Sequence, residues 1–154
     1  MKPNVVGWVA AWVAALGSLH TPTLWLVDKL TRTIPPGELA DARRNVGPEL
    51  TAETLRSNQV TVSVAILAGY IVLAGAFLVA GYFAARGGAI SAVVMVICCA
   101  IGVVMWSGSA IDGTAGWALR GVITVAGILA TVLLIADGRR RRTEFYERRA
   151  MAAA

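Results

Sequence analysis

The sequence predicts an all-α membrane protein with four transmembrane helices. Three observations carry that prediction. From Val60 to Ala85, and again from Ala89 to Ile111, no residue is charged. Each run exceeds the roughly 20 apolar residues that cross a hydrocarbon core of about 30 Å. Only Arg86-Gly87-Gly88 separates them, which leaves room for a tight turn and makes the two helices antiparallel neighbours. The third observation is composition. The 154 residues are 57% hydrophobic and 15% charged, whereas a soluble domain carries charge on about a quarter of its residues. A single domain of this length cannot hide so much apolar surface in one core, so lipid must take the place of water.

The first span is expected over residues 5–27. Trp8 and Trp12 share a face, and Trp25 marks the other end, so aromatic residues fall near both interfaces. Pro22 removes a backbone donor and is expected to kink the helix or end its regular part, with Ser18 or a neighbouring helix satisfying the freed carbonyl. A cleaved signal peptide is the competing reading of an N-terminal apolar run. The length of the run, its single Lys2 and the lack of an Ala-x-Ala site before Asp28 argue against it.

Residues 28–59 are the one long polar stretch, and five basic side chains balance five acidic ones. A connection of that length without structure is uncommon in a compact domain. Pro36 and Pro48 each suit the first turn of a short helix, and Thr51 suits the N-cap of the second. Two short helices lying on the membrane surface or capping the bundle are therefore expected.

The second span, residues 60–85, is rich in small residues. Gly69 and Gly75 lie towards its middle, and Ala76, Ala80 and Ala84 recur every fourth residue with Gly81 beside them. Small side chains let helix backbones approach closely, which is what packing in lipid rewards. Gly69, Gly75, Ala76, Ala80 and Gly81 are accordingly the expected packing positions. The glycine spacing is not that of a GxxxG pair. The third span, residues 89–111, ends near Trp106, and Asp112 to Gly116 form a second tight turn. The fourth, residues 117–136, begins at Trp117 and carries Arg120 one turn in. Asp137 and Gly138 are expected to end it.

Beyond lies a basic tail, residues 138–154, with Arg139, Arg140, Arg141, Arg142, Arg148 and Arg149 against Glu144 and Glu147, a net charge of +4. It reads as a short amphipathic helix on an anionic leaflet. The overall formal charge of +5 raises nucleic acid as a partner, but the basic residues cluster beside apolar spans, where the positive-inside rule accounts for them. No nucleic-acid partner is expected. Four spans put both termini on one side. The arginine run beside the fourth span assigns that side to the cytoplasm, with residues 28–59 and 112–116 outside.

Candidate chemistry is sparse. Ionisable groups inside a span are costly and are the first functional candidates. His20, the sole histidine, reads either as a proton relay or haem or quinone ligand, or as a polar residue bonding a neighbour near the outer interface. Arg120 reads as a partner of Asp112 or of a lipid phosphate, or as a side chain snorkelling to the interface. Cys98 and Cys99 are adjacent and mid-span, which suits packing rather than a disulfide. No acidic residue lies deep in a span, and there is no phosphate-binding glycine loop, metal-ligand cluster or Ser-His-Asp set. No cofactor, metal or catalytic residue is expected, and the chain reads as a non-enzyme.

A polar stretch ending Leu55-Arg56 follows the first span, Ala85-Arg86-Gly87-Gly88 lies between the second and third, and an arginine-rich tail follows Leu133-Leu134, so that these features together cover the whole chain. In these features it resembles small four-span membrane proteins of actinobacteria. That resemblance implies a bacterial inner membrane and carries no activity or site residues. The leading expectation is a single transmembrane domain over residues 1–154. It would serve as an accessory or assembly subunit of a larger membrane complex, contacting anionic lipid headgroups and other subunits or copies of itself. The alternatives are a small oligomeric transporter of a solute or lipid, with a path near His20 and Pro22, and a holin-like pore former.

Overall fold

The computed structural model describes residues 4–108 and 114–153, and among them the chain is five α-helices with no strand. These are α1 (Val5–Thr31), α2 (Pro36–Val46), α3 (Ala52–Ala85), α4 (Ala89–Gly108) and α5 (Thr114–Ala153). Three of them, α1, α3 and α5, are long and apolar enough to cross a membrane, while α4 has a shorter apolar stretch, Ala89–Met105. Contacts divide the chain into two compact units, Met1–Ser18 with Val72–Ala154, and Leu19–Ile71.

The helix boundaries depart from the sequence expectation in three places. The first helix, with Pro22 inside it, runs on to Thr31, past residue 27, and the Ser18 hydroxyl donates to the Ala15 carbonyl at 2.7 Å. No separate helix forms after Pro48. Thr51 does act as an N-cap, its Oγ1 accepting the Thr54 N–H at 3.1 Å, but the helix it caps is the 34-residue α3. Third, α5 does not stop at Asp137-Gly138 and runs unbroken for 40 residues into the basic tail. The i,i+4 pairs Asp137–Arg141 at 3.0 Å and Glu144–Arg140 at 3.4 Å span the position where the end was expected.

In the larger unit the first half of α1, the second half of α3, α4 and α5 share one core. It consists largely of alanines: Ala10, Ala11 and Ala14 of α1, Ala80 and Ala84 of α3, and Ala126 and Ala130 of α5. Phe77, Met95 and Leu134 fill the wider gaps. Such small side chains bring helix axes close, so van der Waals contact substitutes for the hydrophobic effect that lipid does not supply. Glycines take the tightest places. A β-carbon on Gly17 would lie 2.7 Å from Ile123 Cγ1, and one on Gly81 would lie 3.2 Å from Leu134 and 3.3 Å from Met95. Asn4 opens α1, its Oδ1 accepting the Gly7 N–H at 3.0 Å while its Nδ2 donates to the Leu133 carbonyl of α5 at 3.3 Å.

The turn between α3 and α4 is built by Arg86-Gly87-Gly88. The Gly88 N–H bonds the Phe83 carbonyl at 3.0 Å and the Gly87 N–H bonds the Ala84 carbonyl at 2.9 Å. This pair of bonds is the Schellman pattern, and it needs a left-handed residue, supplied by Gly87 at φ +90°. Arg86 lies over the Tyr82 ring at 4.1 Å. The Arg142 guanidinium of α5 donates to the Gly87 carbonyl.

In the smaller unit, polar contacts lace the end of α1, α2 and the start of α3. Pro36 stands at the start of α2, and Gly47 closes it with an N–H to the Arg43 carbonyl at 2.9 Å. Glu38 is the hub. It pairs with Arg32 and accepts from Gln59 Nε2 at 2.8 Å. Arg56 donates to the Leu30 carbonyl, and Arg43 Nε to the Leu50 carbonyl at 2.8 Å.

Candidate functional site

The candidate positions fall into two groups, packing faces and ionisable groups. On α3 a 3.6-residue repeat sets Phe77, Ala80, Gly81 and Ala84 on one buried face. Ala80 is 5% exposed and Ala84 2%. Ala76, Gly75 and Gly69 turn outward, and a β-carbon on either glycine would meet nothing within 4 Å. The five expected packing positions therefore divide: in the larger unit Ala80 and Gly81 face inward and Gly75 and Ala76 are open, and in the smaller unit Gly69 is open. Small size alone did not distinguish the two. The signal that does is the company each keeps, since Phe77 shares the inward stripe and Val72 and Val79 flank the outward one.

A second open feature lies between α1 and α5. Val5, Val9 and Val13 on one side and Gly121, Val122 and Val125 on the other bound an apolar groove of about 660 Å³. Inside the larger unit is a cavity of about 30 Å³ beside Ser18, Cys98, Cys99 and Gly127. It has room for a water molecule and none for an organic substrate. Among the described residues no group of three or more His, Cys, Asp or Glu side chains converges.

The ionisable candidates lie in different surroundings. His20 is exposed on α1. Arg120 is 9% exposed and lies on the inward stripe of α5 with Gly116, Ile123, Gly127 and Ala130. Its guanidinium carbon is 5.0 Å from the centroid of the Trp117 ring. Its Nε and Nη2 are buried and have no hydrogen-bond partner among the described residues. Asp112, the expected partner, lies outside those residues.

At the other end of α5, Arg139, Arg140, Arg141 and Arg142 advance about 100° per residue and so surround the helix. Arg139, Arg140 and Arg142 are exposed, and Arg141 is half-buried against Asp137. Arg148 and Arg149 follow in the exposed last turns, where Arg149 lies over Phe145 at 5.8 Å. In the polar segment, the Gln59 amide bonded to Glu38 holds its carboxyl below the usual value; burial opposes this, and the positive charges of Arg32 and Lys29 lower it further.

Sequence reading missed three contact residues. Asn4 caps α1 and reaches α5. Gly17 admits Ile123. Gly138, read as a helix stop, is a point of close approach, because a β-carbon there would overlap the Ala84 carbonyl oxygen. Compared with protein-family models, curated proteins and solved structures, the chain matches none of them.

Proposed function

We propose that the chain is a non-catalytic four-span protein of a bacterial inner membrane, acting as an accessory or assembly subunit of a larger membrane complex. In this reading α4, 20 residues long and so about 30 Å from end to end, is the span that joins α1, α3 and α5. The termini are cytoplasmic, because the arginines that surround α5 after Asp137 favour the cytoplasmic leaflet. Each basic residue close to an anionic surface contributes roughly 1 kcal/mol to holding that end in place.

The observation that carries the reading is the division of α3 into two small-residue faces. The inward one is filled by Met95 and Leu134. The outward one, with Gly75 and Ala76 in the larger unit, is open, and a β-carbon on Gly75 would meet nothing within 4 Å. In lipid a flat face is useful chiefly for close approach of another helix, so a second membrane chain is its natural occupant.

Purification in mild detergent followed by mass spectrometry tests this. A membrane chain recovered in fixed ratio with the wild type and lost from Gly75→Leu is the expected result. Recovery of the protein alone, or rapid loss of membrane potential on overexpression, overturns it. Reporter fusions after Ala154 and within residues 38–50 should give cytoplasmic and external signals respectively.

A further inference from the structure

The geometry points to a phosphate-binding site at the beginning of α5, formed by the buried, unpartnered edge of Arg120 and the first turn of the helix. Arg120 sits in the second turn of α5, nine-tenths buried, on the stripe that faces the core. Its guanidinium lies over the ring of Trp117, three residues earlier. The side chain therefore leans back towards the start of the helix, as long helical side chains do. The first N–H groups of a helix have no intrahelical partner, and that end carries about half a positive charge from the aligned peptide dipoles. Two positive contributions thus converge in apolar surroundings.

The donors left unpaired identify what would answer them. Nε and Nη2 lie on the same edge of the guanidinium and point the same way. That edge takes an oxyanion through two parallel N–H···O bonds. Arg120 lies over Trp117 and is nine-tenths buried, which restricts its side chain before any ligand binds. Helix N-termini are ready-made phosphate sites, and Trp117, 64% exposed, is the kind of residue that settles at headgroup depth. The described carboxylates of the same unit, Asp137, Glu144 and Glu147, are at the far end of α5, about 25 Å or more along the helix. They cannot reach Arg120. The ligand is a phosphate oxyanion, supplied by a phospholipid headgroup or by free phosphate.

Native mass spectrometry of the full chain from nonionic detergent, combined with thermal unfolding in inorganic phosphate against chloride at equal ionic strength, tests the site. The variants are Arg120→Lys, which keeps the charge without the paired edge, Arg120→Gln, and Asp112→Asn. A phospholipid retained by the wild type and not displaced by phosphate identifies the lipid source. A saturable rise in Tm with phosphate and not chloride identifies the free anion. In either case Arg120→Lys should bind at least tenfold more weakly while unfolding at the wild-type Tm in chloride. Arg120→Gln should bind none and, having shed a buried charge, should remain folded. The proposal is overturned if wild type and Arg120→Lys bind phosphate and phospholipid equally. It is also overturned if a phosphate response is absent from the wild type and arises only in Asp112→Asn, which would make Asp112 the counter-ion.

Discussion

Gly138 of α5 lies against the carbonyl oxygen of Ala84 at the end of α3, so closely that a β-carbon at 138 would overlap it. The contact joins the last turn of α3 to α5 just where α5 leaves its apolar stretch. Arg142, one turn further on, donates to the Gly87 carbonyl of the same turn. Gly138→Ala sets two effects against each other. Alanine gains about 0.5–1 kcal/mol over glycine within a helix. Overpacking against a backbone atom that cannot rotate aside costs typically 1–3 kcal/mol. The clash should win, and thermal unfolding in detergent should show a lower Tm. Gly121→Ala is the control, since a β-carbon there meets nothing within 4 Å, and it should be neutral or slightly stabilising. A Gly138→Ala variant as stable as Gly121→Ala would mean the two helices are not held together at this point.

The same residue shows where sequence reasoning runs out. Glycine after aspartate, at the border of an apolar run and a charged one, is the local pattern of a helix end. What overrides it is tertiary: the backbone of α3 passes there, and only glycine admits it. Thr51 shows a different limit: an N-cap marks where a helix begins without saying how long it runs. By contrast the Arg86-Gly87-Gly88 turn was legible, because its length and glycines leave few ways to reverse direction. For the ionisable candidates, the sequence placed Arg120 inside an apolar run. It did not say that the guanidinium turns inward with its paired edge unanswered, since that depends on which face of α5 meets the core.

Glu38 gives the polar segment a pH dependence. Its carboxyl is held below the ordinary 4.5, first by the Gln59 hydrogen bond and then by Arg32 and Lys29. A lowered folded-state value means the carboxylate favours the folded segment fully above the unfolded value. That contribution disappears as pH falls from about 4.5 through the lower folded value. Glu38 is partly exposed, so solvent screens the pair and the effect is small. Hydrogen exchange of residues 36–59 should be steady, after correction for intrinsic rates, from pH 8 to 5 and lose protection below 4.5. Glu38→Gln should be less protected at neutral pH and flat across the acid range. Equal acid sensitivity in wild type and Glu38→Gln would assign the transition to another carboxylate.

The two faces of α3 make the sharpest separation between folding and association. Ala80 is 5% exposed and packs in the alanine-rich core, so Ala80→Leu inserts three carbons where helices already touch. The expected cost is about 1–3 kcal/mol from strained rotamers and displaced backbone. Gly75 faces outward and its β-carbon position is empty. Gly75→Leu should therefore leave the isolated chain as stable as before, or slightly more so through better helix propensity. Its effect should fall on whatever lies against that face in the membrane. Val72 and Val79 are 71% and 58% exposed, and Val72→Leu and Val79→Leu serve as controls that enlarge neighbouring outward positions already carrying a branched side chain. Thermal unfolding and recovery of co-purifying chains are measured for all four. The expected pattern is a lower Tm with any partner retained at Ala80, and an unchanged Tm with the partner lost at Gly75. Should Gly75→Leu lower the Tm as far as Ala80→Leu, the outward face would be an intrachain contact, and the accessory-subunit reading would lose the surface on which it depends.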